Sequence, residues 1–507
     1  MSFNFAWLAL APILPFLSAM MIALLHVAGP ARGETGERLT ARISVASMFA
    51  VLILMLAGLA VALMQGMPGQ MPLADWFASG ELQLPLSLTL DGLSLGFASL
   101  IAFIALVTLK FSVNYMHREA GFHRFFIGMN LFASGMLLIV LAGNAVLAFV
   151  GWEFAGFSSW MLIGYAYERT TATVNAQRVF LTNRIGDAAF VFGIATAFIW
   201  LGSLDWQEMA RGARELPTLY VGVMTLGFML AALIKSAQIP FTPWITRALE
   251  GPTPSSAIFY GSVMVHAGVY LLVRLEPVLI HAPGIMALIA VLGLATAVYG
   301  WIAGYVQTDV KTALLHGTLT QVGLMFLTCG LGFFEVAAWH AALHMIWRSW
   351  QFLSVPSYMH LMDSRTPPAP AWMRRFPRLF TAALQRFWLE PLGDRLLVQP
   401  TQALARDMRA IDENIISRMV GMPENQRAAA LLAEEDLVKG RGLAGQFLES
   451  VAVRLDHFEQ HLVLQGGGGK LATGLHRLGM WLKWIEGLLE QPRYLLLLVM
   501  ATMVVIL

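Results

Sequence analysis

Long apolar runs occupy most of this chain. A helix that crosses a membrane needs about 20 predominantly apolar residues, and eleven such runs precede residue 360. They cover residues 4–26, 43–65, 92–113, 125–143, 145–166, 179–201, 219–239, 254–273, 281–303, 309–330 and 335–358. A twelfth run extends from about 493 to Leu507. These runs are too long for barrel strands and lack regular alternation. The pattern therefore predicts an all-α polytopic membrane protein with about twelve transmembrane helices.

Residues 361–492 differ from the rest in composition. They are rich in Arg, Glu and Gln, have no run of span length, and are interrupted by four glycines at 466–469. Stretches such as 401–420 mix apolar and charged residues at helical spacing, which favours amphipathic helices on the membrane face. A compact soluble domain is the alternative. We predict a core at 1–360 of about eleven helices, an interfacial segment at 361–492 and a transmembrane helix at 493–507.

Every second short loop between the runs is rich in basic residues, and loops of that kind lie on the cytoplasmic side. The basic loops carry Arg32, Arg38, Arg42, Lys110, Arg118, Arg124, Arg169, Arg178 and Arg184. The opposite loops hold only Arg211, Arg214 and Arg274. The N-terminus is therefore predicted outside and residues 361–492 inside. The start lacks basic residues and a small-residue cleavage site, so 5–25 is predicted to be a retained helix.

Composition narrows the class of function. Hydrophobic residues make up 57% of the 507 residues and charged residues 13%, against about 25% charged in soluble domains. The mean hydropathy is +0.66. A net charge of +2 provides no basic field for nucleic acid. The single cysteine, Cys329, excludes an intrachain disulfide, a cysteine-ligated zinc site and an iron–sulfur cluster. With neither a nucleophile–base set nor a cofactor motif, an enzyme acting alone is disfavoured.

Glu153 and Lys235 lie deep inside apolar runs. A charge at the bilayer centre costs at least ~2.5–3.5 kcal/mol, so each one indicates function. Glu153 lies well inside the fifth run, where a structural carboxylate is the alternative. Lys235 lies about sixteen residues into the seventh run, and Pro240 follows. A proline there breaks the helix, as at transporter binding sites. A carboxylate that moves near Lys235 would switch it between holding and releasing a proton. A lysine locked in an ion pair is the alternative.

Three residues of the eleventh run recur at i, i+4 and i+8: His340, His344 and Arg348. This spacing places them on one helix face over about 12 Å. Two histidines four apart can bind zinc, but no acid shares their turn, so a proton wire is preferred. Arg348 keeps its proton and supplies a fixed charge. His266 in the eighth run is a plausible relay, with hydrogen-bonded packing as the alternative.

Other charged residues lie nearer the ends of runs. Asp309, Lys311 and His316 stand at the inner mouth of the tenth run, where they could be interfacial anchors. Arg184 and Asp187, placed at the start of the sixth helix, could simply pair. Asp91 is predicted to cap the third helix. Secondary positions on the proton path are Asp187, Arg178, Lys311 and His316.

Several motifs occur in order along residues 1–360. They are Val150-Gly-Trp-Glu-Phe-Ala-Gly, Asn183-Arg-Ile-Gly-Asp, Lys235-Ser-Ala-Gln-Ile-Pro-Phe, Gly251-Pro-Thr-Pro-Ser-Ser-Ala, Val265-His-Ala-Gly-Val-Tyr-Leu, Thr308-Asp-Val-Lys and Thr320-Gln-Val-Gly. Together they resemble the L subunit of respiratory complex I and its relative, the large Mrp antiporter subunit. Phe387-Trp-Leu-Glu-Pro-Leu-Gly-Asp-Arg resembles the closing segment of that family. The resemblance implies an antiporter-like fold, pairing of Glu153 with Lys235, and a hydrophilic axis through the eleventh helix.

Two departures from complex I matter for function. Arg348 stands where complex I has lysine, and residues 362–388 leave no room for helices twelve to fourteen, so the second inverted repeat is truncated. A shortened chain of this kind resembles DabB, the membrane component of DAB inorganic-carbon accumulation complexes. That resemblance implies cation flow in a bacterial inner membrane. The histidines favour H⁺ over Na⁺, and the basic loops predict a periplasmic N-terminus. The flow would energise CO₂ or bicarbonate uptake by a cytoplasmic DabA-like subunit with a carbonic-anhydrase-like zinc site.

Alternative functions remain open from the sequence. The chain could be a proton- or sodium-translocating subunit of complex I, an Mrp antiporter or a membrane hydrogenase. A scaffold that conducts nothing is disfavoured, because it gains nothing from ionisable groups at membrane depth. No cofactor is expected in this chain itself, since zinc would belong to the partner.

Overall fold

A computed structural model describes residues 5–29, 33–79, 82–361 and 369–411. Ten helices in this part of the chain are long and apolar enough to cross a membrane. They are α1 Phe5–Ala28, α2 Gly33–Gln65, α3 Gly92–Tyr115, α4 Phe122–Leu141, α5 Ala145–Ile163, α6 Thr170–Leu201, α7 Thr218–Lys235, α8 Thr253–Arg274, α9 Pro283–Gly304 and α10 Val310–Gly330. An eleventh helix, α11 Phe334–Leu361, has 28 residues and contains the polar His340, His344 and Arg348. The prediction of an all-α polytopic membrane protein is confirmed, and the predicted helix at 493–507 lies outside the described residues.

The segment between the second and third apolar runs forms a β-hairpin, which the sequence analysis did not predict. Strand β1, Gly69–Ser79, pairs antiparallel with β2, Leu82–Leu90. In β2, Leu84, Leu88 and Leu90 are buried, and so are Ser87 and Thr89. Since successive side chains of a strand point to opposite faces, both faces of the end of β2 are covered. The hairpin is held to the α4–α5 turn, where Asn144 Nδ2 donates to the Pro85 carbonyl oxygen at 2.8 Å.

Helix α7 ends at Lys235, and the chain resumes as a short helix only at Pro243–Arg247. Side chains satisfy the backbone groups that the break exposes. Trp244 Nε1 donates to the Ile234 carbonyl oxygen at 2.8 Å, and Ile239 N donates to Thr296 Oγ1 at 2.9 Å. Non-helical backbone inside a membrane protein requires such partners. The break predicted from Pro240 is therefore present and is stabilised by neighbouring helices.

Helix α8 is irregular where it passes this break. It changes from a π-helical turn at Ala257–Ser262 to a 3₁₀ turn at Met264–His266 before α-helix resumes. Ser236 Oγ donates to the Val265 carbonyl oxygen at 2.7 Å. At Gly268 an added Cβ would lie 2.4 Å from the Ala232 carbonyl oxygen. The close approach of α7 and α8 therefore places His266 beside the α7 break.

The compact unit continues beyond α11 to Val398. Its last part contains three short helices, Ala371–Arg374, Pro377–Leu384 and Leu389–Gly393. Aromatic rings attach this part to α9: Trp372 stacks on Trp301 with centroids 5.7 Å apart. A further helix, Gln399–Ile411, belongs to a second unit. The domain limits predicted at 360 and 492 stay predictions, since most of that segment lies outside the described residues.

Candidate functional site

Four charged side chains meet where α5, α6 and α7 pack together. Arg184 Nη1 donates to Glu153 Oε2 at 2.5 Å, and Arg184 Nη2 lies 2.7 Å from Asp187 Oδ2. Arg184 therefore bridges two carboxylates from different helices. The prediction that placed the 183–187 motif at the start of its helix is wrong, because α6 begins at Thr170 and the motif lies in its middle. The first turns of α6 are polar, so the apolar run at 179–201 did not indicate where the helix begins.

Lys235 completes this cluster and is 1% exposed. Its Nζ donates to the Trp152 carbonyl oxygen at 3.2 Å and lies 4.9 Å from the centroid of the Trp152 ring. Lys235 interacts electrostatically with both Asp187 and Glu153. A Cβ on Gly156 would lie 3.2 Å from Arg184 Nη2 and 3.3 Å from Lys235 Nζ. The side chains of Arg184 and Lys235 therefore both approach α5 at Gly156, which has no side chain.

The resemblance to complex I implied a direct pair between Glu153 and Lys235, and the structure differs. Glu153 makes its ion pair with Arg184, whereas Lys235 is held by a backbone carbonyl and an aromatic ring. Sequence analysis treated Arg184 only as a partner for Asp187 in the same helix. The spacing within α6 indicated that contact. The rotation of α6 against α5, which sets the contact with Glu153, has no signature in a single sequence.

A second polar group lies between α8 and α11. His266 Nε2 is 3.0 Å from His344 Nδ1, and Arg348 Nε donates to His344 Nε2 at 3.3 Å. Since arginine only donates, His344 Nε2 accepts and His344 Nδ1 carries the proton that it donates to His266. Both hydrogen bonds therefore run from Arg348 towards His266. The arginine fixes the tautomer of each ring, as partners of histidine commonly do.

His340 lies on the same face of α11 but belongs to a different contact. Its Nε2 is 2.9 Å from Gln321 Oε1 on α10, and its ring centroid is 6.3 Å from that of His344. Of the predicted wire of His340, His344 and Arg348, a hydrogen bond therefore connects only His344 and Arg348. Within the described ranges, no group of three His, Cys, Asp or Glu side chains is placed to hold a metal ion.

The remaining predicted positions lie apart from both groups. Arg178 Nη2 is 3.4 Å from Asp394 Oδ2 in the segment after α11. Lys311 follows Asp309, whose Oδ2 accepts from Thr312 N at 2.8 Å and caps α10. His316 is buried one turn further along α10.

Asp91 caps α3 as expected, since its Oδ1 accepts from Ser94 N at 2.8 Å. It also forms an ion pair with Arg274 at the end of α8. Sequence analysis missed this second contact, because the two residues come from distant runs.

Comparison with known proteins supports the architecture. Residues 142–374 match the family model described as NADH:quinone oxidoreductase/Mrp antiporter, transmembrane. Residues 76–126 match the model described as NADH-ubiquinone oxidoreductase (complex I), chain 5 N-terminus.

Several relatives are similar over the membrane core. NADH-quinone oxidoreductase subunit L of Mycobacterium tuberculosis is 36% identical over 61% of this chain and 48% of the relative. Subunit L of Escherichia coli is 32% identical over 68% of this chain and 56% of the relative. The solved Mrp complex from Dietzia sp. aligns with a TM-score of 0.61 and 27% identity, over 73% of this chain and 40% of that one. This chain spans about half the length of the curated relatives it matches. Its membrane core is therefore similar to that of complex I L subunits and of the Mrp antiporter complex.

Proposed function

We propose that this chain is a proton-translocating subunit of a multisubunit membrane complex. The observation that carries the proposal is the group of Glu153, Arg184, Asp187 and Lys235 beside the break in α7, of which Asp187 and Lys235 are buried and the other two are partly buried. Ionised groups at membrane depth are costly and are retained where ions or protons move. Broken helices expose polar backbone at such sites in transporters.

Exchange of partners within this group provides the proton switch. Glu153 interacts with two cations, pairing with Arg184 and interacting electrostatically with Lys235. While Arg184 holds Glu153, the Lys235 ammonium contacts the Trp152 carbonyl and ring and is stabilised electrostatically by Asp187 and Glu153. A carboxylate that moves to Lys235 stabilises its charged form, and one that moves away favours release of the proton. Arg184 never deprotonates, so it competes for the carboxylate without itself carrying the proton.

Arg348 limits where that proton can go. To pass a proton along α11, His344 would first have to accept one at Nε2, where the Arg348 N–H already points. The fixed positive charge therefore makes His344 a barrier, so the path along this group ends at His266. This arrangement supports a proton path with a fixed direction that does not continue along α11.

Measuring proton movement in reconstituted vesicles tests the proposal. The purified complex, with wild-type chain or Lys235→Ala, is placed in proteoliposomes containing a pH-sensitive dye. Lys235→Ala is expected to abolish energy-coupled proton movement at normal membrane levels of the protein. Lys110→Ala, which removes an exposed lysine of α3, is the matched control and is expected to behave as wild type. Full activity of Lys235→Ala would overturn the proposal.

A second candidate is that the same proton flow energises inorganic-carbon uptake by a DabA-like zinc-containing partner on the cytoplasmic face. It is supported by the short helices after α11: between 369 and 398 the longest has eight residues. The resemblance to the shortened DabB family rests on this region.

Affinity purification of the full complex, followed by mass spectrometry and zinc analysis, separates the two candidates. A zinc-containing, carbonic-anhydrase-like partner supports this one. Quinone-reductase or antiporter subunits support membership of those complexes instead.

A further inference from the structure

His316 on α10 has no role in the switch described above, yet its ring is fully buried. Its Nδ1 lies 2.8 Å from the Thr312 carbonyl oxygen. Because a carbonyl only accepts, Nδ1 carries the ring proton and the neutral ring presents a lone pair at Nε2. Among the described residues, Nε2 has no hydrogen-bond partner. An unsatisfied buried acceptor costs about 1–3 kcal/mol, so this nitrogen requires a partner.

Polar groups on two neighbouring elements lie close to this ring. The Tyr299 ring centroid on α9 is 6.0 Å from that of His316. The helices touch here, since a Cβ on Gly300 would lie 2.7 Å from the His316 carbonyl oxygen. Thr242, in the α7 break, lies near the Tyr299 side chain. Its buried hydroxyl makes no hydrogen bond among the described residues.

Residues of α9 connect the break in α7 with α10, because Tyr299 neighbours both His316 and Thr242. Thr296, one turn before Tyr299 on α9, also contacts the break, because its hydroxyl accepts from Ile239 N. Both unsatisfied atoms, His316 Nε2 and Thr242 Oγ1, belong to neighbours of Tyr299. Buried polar groups that lack a protein partner are typically satisfied by ordered water, which makes about three hydrogen bonds.

We propose that an ordered water molecule is bound at Nε2 of His316, within reach of Tyr299 and Thr242, and that His316 positions this water on a branch leading to the α7 break. The binding of the water stands on the geometry alone. Its use in proton transfer rests on the proposed function. The branch is separate from the group of His266, His344 and Arg348, which lies between α8 and α11.

The hydrogen bond at Nδ1 decides which role His316 has. A proton accepted at Nε2 could leave through Nδ1 only if the Thr312 carbonyl took it, and a backbone carbonyl is too weak a base to do so. His316 therefore does not pass protons through its ring. It is a positioning residue that accepts a hydrogen bond from the water. An amide oxygen at the same place can do this equally well.

Substitutions of His316 in the full complex separate the two roles. Gln places an amide group near the position of Nε2, Asn reaches only the position of Nδ1, and Leu removes both. Proton movement in proteoliposomes is expected to stay near wild type for His316→Gln. It is expected to fall by about fivefold or more for His316→Asn and His316→Leu, corresponding to loss of ~1 kcal/mol or more from the barrier. Loss in His316→Gln at normal protein levels would show a titrating relay and overturn the proposal. So would full activity of His316→Leu.

A high-resolution cryo-EM map of the complex tests the water directly, independently of transport. A density peak within about 3.2 Å of Nε2 is expected in the wild type and near the amide in His316→Gln, and is expected to be absent in His316→Leu. A dry site, or a protein group bonded to Nε2, would overturn the proposal even if the proton-translocating function holds. Conversely, the water can be present in a complex that moves no protons.

Discussion

Arg184 is the residue that most changes the interpretation of the charged group. Sequence motifs identified Glu153 and Lys235 as the reacting pair, but a motif does not show which of two cations a carboxylate faces. In the structure the carboxylate lies on Arg184, and Lys235 rests on Trp152. In this arrangement the direct contacts of Lys235 are with a backbone carbonyl and an aromatic ring. The buried residues of the site were predictable from the cost of charge in apolar runs, whereas their pairing was not.

Replacing Glu153 with Gln removes the carboxylate that is shared between Arg184 and Lys235. Proton movement by the complex is expected to fall by about tenfold or more, as for loss of ~1.4 kcal/mol from the barrier. The dye assay in proteoliposomes measures the change, and immunoblotting of membranes checks protein levels. Glu208→Gln, which removes an exposed carboxylate, is the control. Full activity of Glu153→Gln would mean that Glu153 is structural and that Asp187 is the carboxylate to test next.

Arg348 is expected to act through its charge alone. Arg348→Lys keeps that charge and should retain substantial function, while Arg348→Met should lose most of it. His344→Ala should also lose function, because it removes the ring that links Arg348 to His266. Growth or uptake that depends on the complex, together with membrane levels of each variant, provides the measurement. If Arg348→Met is as active as the wild type, the charge of Arg348 is not required. The proton path must then leave the protein by another outlet.

At the scale of elements, apolar runs predicted the membrane-crossing helices well and their ends poorly. Helices α2 and α6 begin at Gly33 and Thr170, before the apolar runs at 43 and 179. Apolar content reports the part of a helix that meets lipid, whereas polar turns can continue the helix beyond it. The hairpin was missed although β2 alternates as Leu-Gln-Leu-Pro-Leu-Ser-Leu-Thr-Leu, a period-2 signal of a half-buried strand.

The junction of α7 and α8 is expected to tolerate no added volume at Gly268. A methyl group there would meet the Ala232 carbonyl oxygen and Ser236 Oγ at 2.4 and 2.3 Å, so the two helices must separate. Gly268→Ala should destabilise the protein by about 1–3 kcal/mol, as overpacking does. Gly222→Ala on α7 is the matched control, because its Cβ would meet nothing within 4 Å. Thermal unfolding of the detergent-purified complex measures the difference. Equal midpoints for the two variants would contradict this packing account.

At the scale of the whole molecule, the segment after α11 contacts residues of the membrane core at one end of the bundle. Glu390 pairs with Arg247, and Asp394 pairs with Arg178, so the segment after α11 covers the side of the α7 break. Phe387 packs against Tyr299 with ring centroids 5.8 Å apart. Sequence analysis recognised this segment by its closing motif but could not place it. Its contacts come from residues far apart in the chain.

The lone buried cysteine has a practical consequence for mapping the chain across the bilayer. Cys329 is fully buried, so a membrane-impermeant maleimide should leave the native protein almost unlabelled in intact cells. Each introduced cysteine then reports its own side of the membrane. Glu119→Cys lies in a basic loop and Glu215→Cys in the loop after α6; both positions are exposed. The alternation of basic loops predicts that only Glu215→Cys reacts from outside, and that Glu119→Cys reacts once the membrane is opened. The reverse pattern would invert the orientation and place the segment after α11 on the outer face.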